Sequence, residues 1–74
     1  MNLLDCEKHS KVEVTKLHAK DGLKQRLISF GIIKEATIEL LEFAPAKATI
    51  EIKVGKMKLA LRAEEAKLIE VKQV

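Results

Sequence analysis

Three side chains of the types that bind transition metals lie in the first quarter of the chain. Cys6 and His9 have the spacing Cys-x-x-His, and His18 follows further along. A structural zinc site needs four ligands, and Fe²⁺ normally takes a carboxylate as well. Because this set is incomplete, we predict no metal site and no cofactor, and we treat Cys6, His9 and His18 as candidate ligands only. The pattern is typical of a flexible N-terminus with a free thiol.

Catalytic chemistry would need nucleophiles, acids and bases in a recognisable arrangement. The serines, Ser10 and Ser29, lack a histidine and a carboxylate at a spacing that would suggest a triad. The chain contains no glycine-rich phosphate loop, no HExxH and no CxxC. We therefore predict that the protein is not an enzyme and has no catalytic residues.

The excess positive charge lies in one segment. Between Lys16 and Arg26 the chain has four basic residues and only one acidic residue, Asp21, whereas the net charge of the whole chain is +3. Such a segment could contact phosphates, so nucleic acid is an alternative partner. The chain has no Trp or Tyr and only two Phe, and it lacks the aromatic platform on which single-stranded bases stack. Nucleic acid is therefore the less favoured partner.

Seventy-four residues are enough for one domain, 1–74, near the lower size limit for a single apolar core. No apolar run is long enough to span a membrane, and the first ten residues lack the basic start and apolar stretch of an export signal. A single cysteine fits a reducing compartment. We expect a cytoplasmic protein that does not insert into the bilayer.

Alternating apolar residues predict five short strands, and one stripe at helical spacing predicts a helix from about Gly22 to Phe30. Asp21 is the expected N-cap and Gly31 the expected C-cap. The apolar phase of each element predicts the residues that face the core: Val12, Val14, Leu27, Ile38, Leu40, Ile50, Ile52, Leu59, Leu61, Ile69 and Val71.

Five strands in so short a chain leave two exposed edges unless the sheet curls into a barrel. The phase of the pattern shifts near Thr15 and again after Leu40, as in strands that bend around a core. The segment Ala63–Ala66, AEEA, is one helical turn that redirects the chain into its last strand, a feature of SH3-like barrels. We predict an all-β fold: a small five-stranded SH3-like barrel with one short helix between the first two strands.

The region 22–71 resembles the ferrous iron transport protein A (FeoA) family. Two motifs carry the resemblance, LKQRLISFGI and KVGKMKLALRAEEAKLIEV. In the first, the matching residues are Arg26, Leu27, Phe30 and Gly31. In the second, they are Gly55, Leu59, Ala60, Leu61, Arg62, Glu65, Ala66, Ile69 and Val71. The chain departs from the family where Lys34 and Glu35 replace a usual Pro-Gly, so that turn is expected to differ in shape.

The resemblance implies an accessory or regulatory protein of ferrous iron uptake that binds a membrane permease with a GTPase domain. It leaves transition metal ion binding open. Similar modules occur in metal-dependent repressors, so a detached repressor module is a further alternative. The candidate partner-binding residues are Lys24, Arg26, Phe30, Gly31 and Ile32, in which Lys24 and Arg26 supply charge and Phe30 and Ile32 an apolar anchor.

Overall fold

One antiparallel sheet of five strands forms most of the molecule, as seen in a computed structural model that describes all residues, Met1–Val74. The strand order in the sheet is β4-β3-β2-β1-β5. The strands are β1 (Lys11–Leu17), β2 (Thr37–Phe43), β3 (Thr49–Val54), β4 (Met57–Arg62) and β5 (Ile69–Gln73). The predicted number of strands is confirmed.

Two helices connect strands of this sheet. Helix α1 (Asp21–Ser29) lies between β1 and β2, and helix α2 (Ala63–Ala66) lies between β4 and β5. A single turn such as α2 is not stable alone. Here the backbone N–H of Arg62 donates a hydrogen bond to Glu65 Oε1 at 2.9 Å, and Ala66 is buried in the core. The predicted corner before the last strand is therefore confirmed.

Two bulges bend the sheet around the core. The register of β1 against β5 shifts between Val14 and Lys16, and that of β2 against β3 shifts between Leu40 and Glu42. Each bulge adds an unpaired residue to one strand, which increases its twist and curvature. Both lie where the apolar alternation of the sequence changes phase. The bend predicted near Thr15 is thus confirmed, and so is the shift after Leu40.

Sixteen buried residues form one continuous apolar core. It contains ten of the eleven residues predicted to face inward. Leu59 is the exception: it packs against the core but is only half-buried. Both Leu59 and Leu61 lie on the edge strand β4, but Leu61, next to α2, is only 2% exposed. The prediction that Leu59 is a core residue was wrong in extent, because alternation indicates which face of a strand points inward but not how far along the strand other elements cover that face.

The N-terminus is ordered, and the prediction of a flexible one was wrong. A short 3₁₀ helix, Leu3–Asp5, is capped by the Asn2 side chain, which accepts a hydrogen bond from the Leu4 N–H at 2.8 Å. The N–H of Val71 in β5 donates to the Met1 carbonyl at 2.8 Å. Leu3 is completely buried. The segment is held in place because it contributes to the core and lies along β5.

The predicted helix is confirmed within one residue at each end, but its N-cap was misplaced. Lys20 is the N-cap and makes no side-chain capping hydrogen bond. Asp21 is instead the first helical residue, and its φ of 52° is positive. An acidic residue in the first turn favours the helix through the macrodipole whether or not it caps, so its presence alone did not fix the boundary.

Candidate binding surface

The five residues predicted to bind a partner do not form one surface. Helix α1 buries Leu27 in the core, and three of its other residues line two different clefts. Lys24 lines one cleft, beside β1. Arg26 and Phe30 line the other, beside β4 and α2. The sequence placed these residues together because they are close along the chain, whereas the helix separates them around its axis.

Arg26 forms an ion pair with Glu65 of α2, and this contact joins the two helices. The Glu65 side chain is 14% exposed, so most of it is covered by its neighbours. Phe30 is half-buried beside this pair and packs against the core. Because the Arg26 charge is matched within the protein, Arg26 has a structural role in addition to any contact with a partner.

Gly31 and Ile32 end helix α1 in a Schellman motif. The N–H of Gly31 donates to the Ile28 carbonyl at 2.9 Å, and the N–H of Ile32 donates to the Leu27 carbonyl at 3.0 Å. The motif needs a left-handed residue after the C-cap, and Gly31 has a φ of 89°. It also turns the next side chain back onto the helix, so Ile32 is completely buried. The sequence named Ile32 as a candidate apolar anchor, but its burial leaves it inaccessible to a partner in this structure.

The cleft beside β1 is lined by apolar side chains and by lysines, and we call it the lysine cleft. Its volume is about 420 Å³. Leu17, Ile28 and Ile33 give it apolar surface, while Lys16, Lys24 and Lys34 give it charge. Of these six residues, the sequence identified only Lys24 as a partner-binding candidate. The sequence did contain one indication of this cleft: Ile28 is an apolar residue of the predicted helix that lies outside the core stripe of Leu23, Leu27 and Phe30.

The candidate metal ligands lie in three different environments. Cys6 is buried, with its Sγ 3.6 Å from the Asn2 carbonyl oxygen, and burial raises the pKa of its thiol. His9 is exposed in a turn. His18 is exposed and lies with its Nε2 2.8 Å from Glu70 Oε1. No three His, Cys, Asp or Glu side chains are grouped closely enough to hold a metal ion.

Treatment with a chelator is expected to leave the melting temperature unchanged, because the buried core consists of apolar residues and Cys6. Thermal denaturation with and without EDTA would measure this. Titration with Zn²⁺ or Fe²⁺ provides the converse experiment. Stoichiometric binding that is lost in Cys6→Ala and that raises the melting temperature would show that a metal site exists after all.

The hydrogen bond from His18 holds the pKa of Glu70 below its ordinary value. A lowered folded-state pKa stabilises the fold above the unfolded pKa of glutamate, and this contribution is lost as the pH falls through the folded-state value. Since the pair is exposed, the contribution to stability is small. We expect His18→Ala to raise the Glu70 pKa toward its ordinary value in an NMR titration.

Lys8 provides the matched control for this titration. Lys8 Nζ lies 2.9 Å from Glu42 Oε2, and this hydrogen bond holds the pKa of Glu42 below its ordinary value. Lys8→Ala should therefore move the pKa of Glu42 and leave that of Glu70 in place. An unchanged Glu70 pKa in His18→Ala would show that the two side chains do not interact in solution.

A helix that crosses a membrane must be long and apolar. No helix of the protein is sufficiently long and apolar to cross a bilayer.

Two curated relatives match almost the whole chain. Fe(2+) transport protein A of Helicobacter pylori is 31% identical over 74 residues, which cover 99% of this chain and 97% of the relative. The protein of the same name from Campylobacter jejuni is 35% identical over 71 residues, which cover 96% of each chain. The similarity thus extends well beyond the region 22–71 that carried the motifs.

Solved structures share the fold. The solution structure of iron(II) transport protein A from Clostridium thermocellum has a TM-score of 0.94 and 30% identity, and the match covers 100% of this chain and 46% of that one. The crystal structure of Stenotrophomonas maltophilia FeoA complexed with zinc has a TM-score of 0.84 and 28% identity, covering 97% and 89% of the two chains. It is described as a prokaryotic SH3 domain protein, which confirms the predicted fold class.

The manganese-activated repressor ScaR shows the same fold in a larger protein. Its match has a TM-score of 0.87 at 18% identity and covers 100% of this chain but only 35% of the repressor, so the likeness concerns the fold alone. The FeoA domain model, in contrast, matches residues 1–73 of this sequence. With that match and two relatives above 30% identity over nearly their full length, the chain belongs to the FeoA domain family.

Proposed function

We propose that this protein is a cytoplasmic accessory protein of ferrous iron uptake that acts by binding a membrane iron permease with a GTPase domain. The observation that carries the proposal is the family match over residues 1–73. Relatives that align along nearly their whole length carry the name Fe(2+) transport protein A. For the S. maltophilia relative, a role as a bacterial ferrous iron transport activating factor is suggested.

The proposed mode of action is binding rather than catalysis. Exposed lysines and half-exposed aliphatic side chains lie on and beside helix α1, where the lysines can steer an anionic partner and the aliphatic side chains can supply apolar contact area. Charge sets the rate of encounter and apolar contacts set the residence time. The zinc in the S. maltophilia structure is a property of that protein. For this chain we propose that a bound metal is not required for the contact.

The proposal is tested with the purified chain and two immobilised targets, the whole permease in a lipid nanodisc and its isolated GTPase domain. Surface plasmon resonance should detect binding to at least one of them, with association that slows as salt is added. At the same salt concentration, Lys24→Glu should associate more slowly than the wild-type chain, because it reverses a lysine charge of the cleft that has no ion-pair partner within the protein. Arg26 is less suitable, since its reversal would also break the pair with Glu65.

Lys58→Glu is the matched control, because Lys58 is an exposed lysine on the β3–β4 hairpin, outside the lysine cleft. It changes the net charge equally and should have a smaller effect on association. Failure of the wild-type chain to bind either target, together with binding to an oligonucleotide, would contradict the proposal and support the nucleic-acid alternative.

A further inference from the structure

Strand β1 has an open edge along its second half. Strand β1 pairs with β2 only over Lys11–Glu13. The last two hydrogen bonds on that side are donated by the Val14 N–H to the Ala36 carbonyl and by the Glu35 N–H to the Val14 carbonyl. Beyond them, Lys16 and Leu17 pair with β5 on one side, Thr15 is the bulge residue between Val14 and Lys16, and all three border the lysine cleft. An open strand edge is a template on which an extended peptide can add as a further strand.

The same short edge contains the protein's one buried side-chain polar atom without a hydrogen-bond partner, Thr15 Oγ1. Thr15 is the extra residue of the β1 bulge, so the ladder is interrupted where it stands. Buried hydroxyl groups are nearly always hydrogen-bonded, and each exception needs an explanation. Thr15 Oγ1 is itself enclosed by the protein, so it marks the interruption of the ladder and is not a group that a ligand contacts directly.

Two isoleucines give the lysine cleft apolar surface beside the open edge of β1. Ile28 of α1 is 44% exposed and Ile33, in the loop after α1, is 47% exposed. Both line the lysine cleft together with half-buried Leu17. A cleft of about 420 Å³ lies within the size range of specific ligand sites and accommodates an aliphatic side chain with the adjoining backbone.

Each wall of the cleft contributes one lysine: Lys16 from β1, Lys24 from α1 and Lys34 from the following loop. None of the three forms an ion pair within the protein, and no acidic residue lines the cleft. Glu70, the cross-strand neighbour of Lys16, is hydrogen-bonded to His18 instead. Glu70 still interacts electrostatically with Lys16. Lys24 and Lys34 have no acidic neighbour in the cleft, so the cleft keeps a net positive charge that can attract an anionic ligand.

We infer that the lysine cleft binds an extended acidic polypeptide segment, which pairs with the open edge of β1 and places an aliphatic side chain between Ile28 and Ile33. The inference rests on the proposed function for the identity of the protein that supplies the segment. It adds the surface and the chemistry of recognition: backbone pairing at Thr15–Leu17, one apolar anchor and carboxylates that face the lysines.

An acidic peptide fits this cleft better than a nucleic acid does. A sugar–phosphate backbone would satisfy the lysines but would leave Ile28 and Ile33 without an apolar partner. The cleft also lacks aromatic side chains on which bases could stack. A peptide in which acidic and aliphatic residues alternate meets both requirements, because successive side chains of a strand point to opposite sides.

The test uses a fluorescein-labelled octapeptide in which glutamate alternates with leucine, and a control octapeptide in which lysine replaces glutamate. Fluorescence anisotropy should show salt-sensitive binding of the acidic peptide to the full chain and no binding of the basic one. Lys16→Glu combined with Lys24→Glu should weaken binding about tenfold or more, as should Ile28→Asp. Lys56→Glu with Lys58→Glu, outside the cleft, should change affinity less than threefold.

NMR locates the contact. On peptide addition, the amide signals of Thr15–Leu17 should shift, and at least one of these amides should become protected from hydrogen exchange. Shifts confined to the β3–β4 hairpin would overturn the assignment of the cleft. Equal binding of both peptides, or tighter binding of a thymidine oligonucleotide that displaces the acidic peptide, would overturn the proposed chemistry.

Binding to the permease distinguishes a failure of this inference from a failure of the proposed function on which it rests. If wild type and the Lys16→Glu, Lys24→Glu variant bind the permease equally well, the cleft is not the contact surface, while the proposed function stands. If the permease binds neither protein but the acidic peptide binds wild type alone, the chemistry of the cleft is supported and the proposed partner is wrong.

Discussion

Ile32→Asp is expected to unfold most of the protein at room temperature. Ile32 is completely buried, and the Schellman motif holds it there through the hydrogen bond from the Ile32 N–H to the Leu27 carbonyl. A carboxylate at this position would be charged and without a partner inside an apolar core, and the cost of burying it is comparable to the whole stability of a small domain. The milder Ile32→Ala should still reduce the free energy of unfolding by about 2–5 kcal/mol.

The next residue is the control. Ile33 has the same side chain but is about half exposed, so Ile33→Asp should change the free energy of unfolding by roughly 0.5 kcal/mol or less. Urea denaturation followed by circular dichroism measures both variants. A folded Ile32→Asp protein as stable as Ile33→Asp would contradict the burial of Ile32 and restore it as a candidate exposed anchor.

Leu3→Ala is expected to lower the free energy of unfolding by about 2–5 kcal/mol, although Leu3 lies close to the start of the chain. Its side chain is completely buried, and the 3₁₀ helix that carries it is capped by Asn2 and tied to β5 by the hydrogen bond between Val71 and Met1. Removing the side chain would leave a cavity that the surrounding strands cannot fill without moving.

Leu4→Ala makes the same chemical change at a half-buried neighbour and should cost less. The same denaturation experiment compares the two variants. If Leu3→Ala has no effect on stability, the N-terminal segment does not pack on the core in solution, and it is then as flexible as its sequence suggested.

The sequence predicted the strands and helices well because each signal is local. Period-2 alternation marked all five strands, and its changes of phase marked the bulges in β1 and β2. The turn formed by Ala63–Ala66 was recognisable because four helix-forming residues interrupt an alternating pattern. The region 22–71 carried the family resemblance, which the comparisons extend to residues 1–73.

Positions in the candidate site were predicted less well, because they depend on what lies across space. The sequence grouped Lys24 with Arg26, whereas the helix turns them toward different clefts. Nothing local to Arg26 indicated a partner in α2, since Glu65 lies far along the chain. Lys16, Ile28 and Lys34 meet in the lysine cleft only once β1, α1 and the following loop pack together.

The sequence by itself determined the order of the elements, the bulges and most of the core, because side-chain periodicity and turn chemistry act over a few residues. Tertiary structure decided the burial of the apolar residues outside the regular strand and helix patterns. Ile32 is buried and Ile33 is not, and Leu3 is core although it precedes every strand. Burial depends on which other element covers a residue, and that contact forms only when the sheet curls around its core.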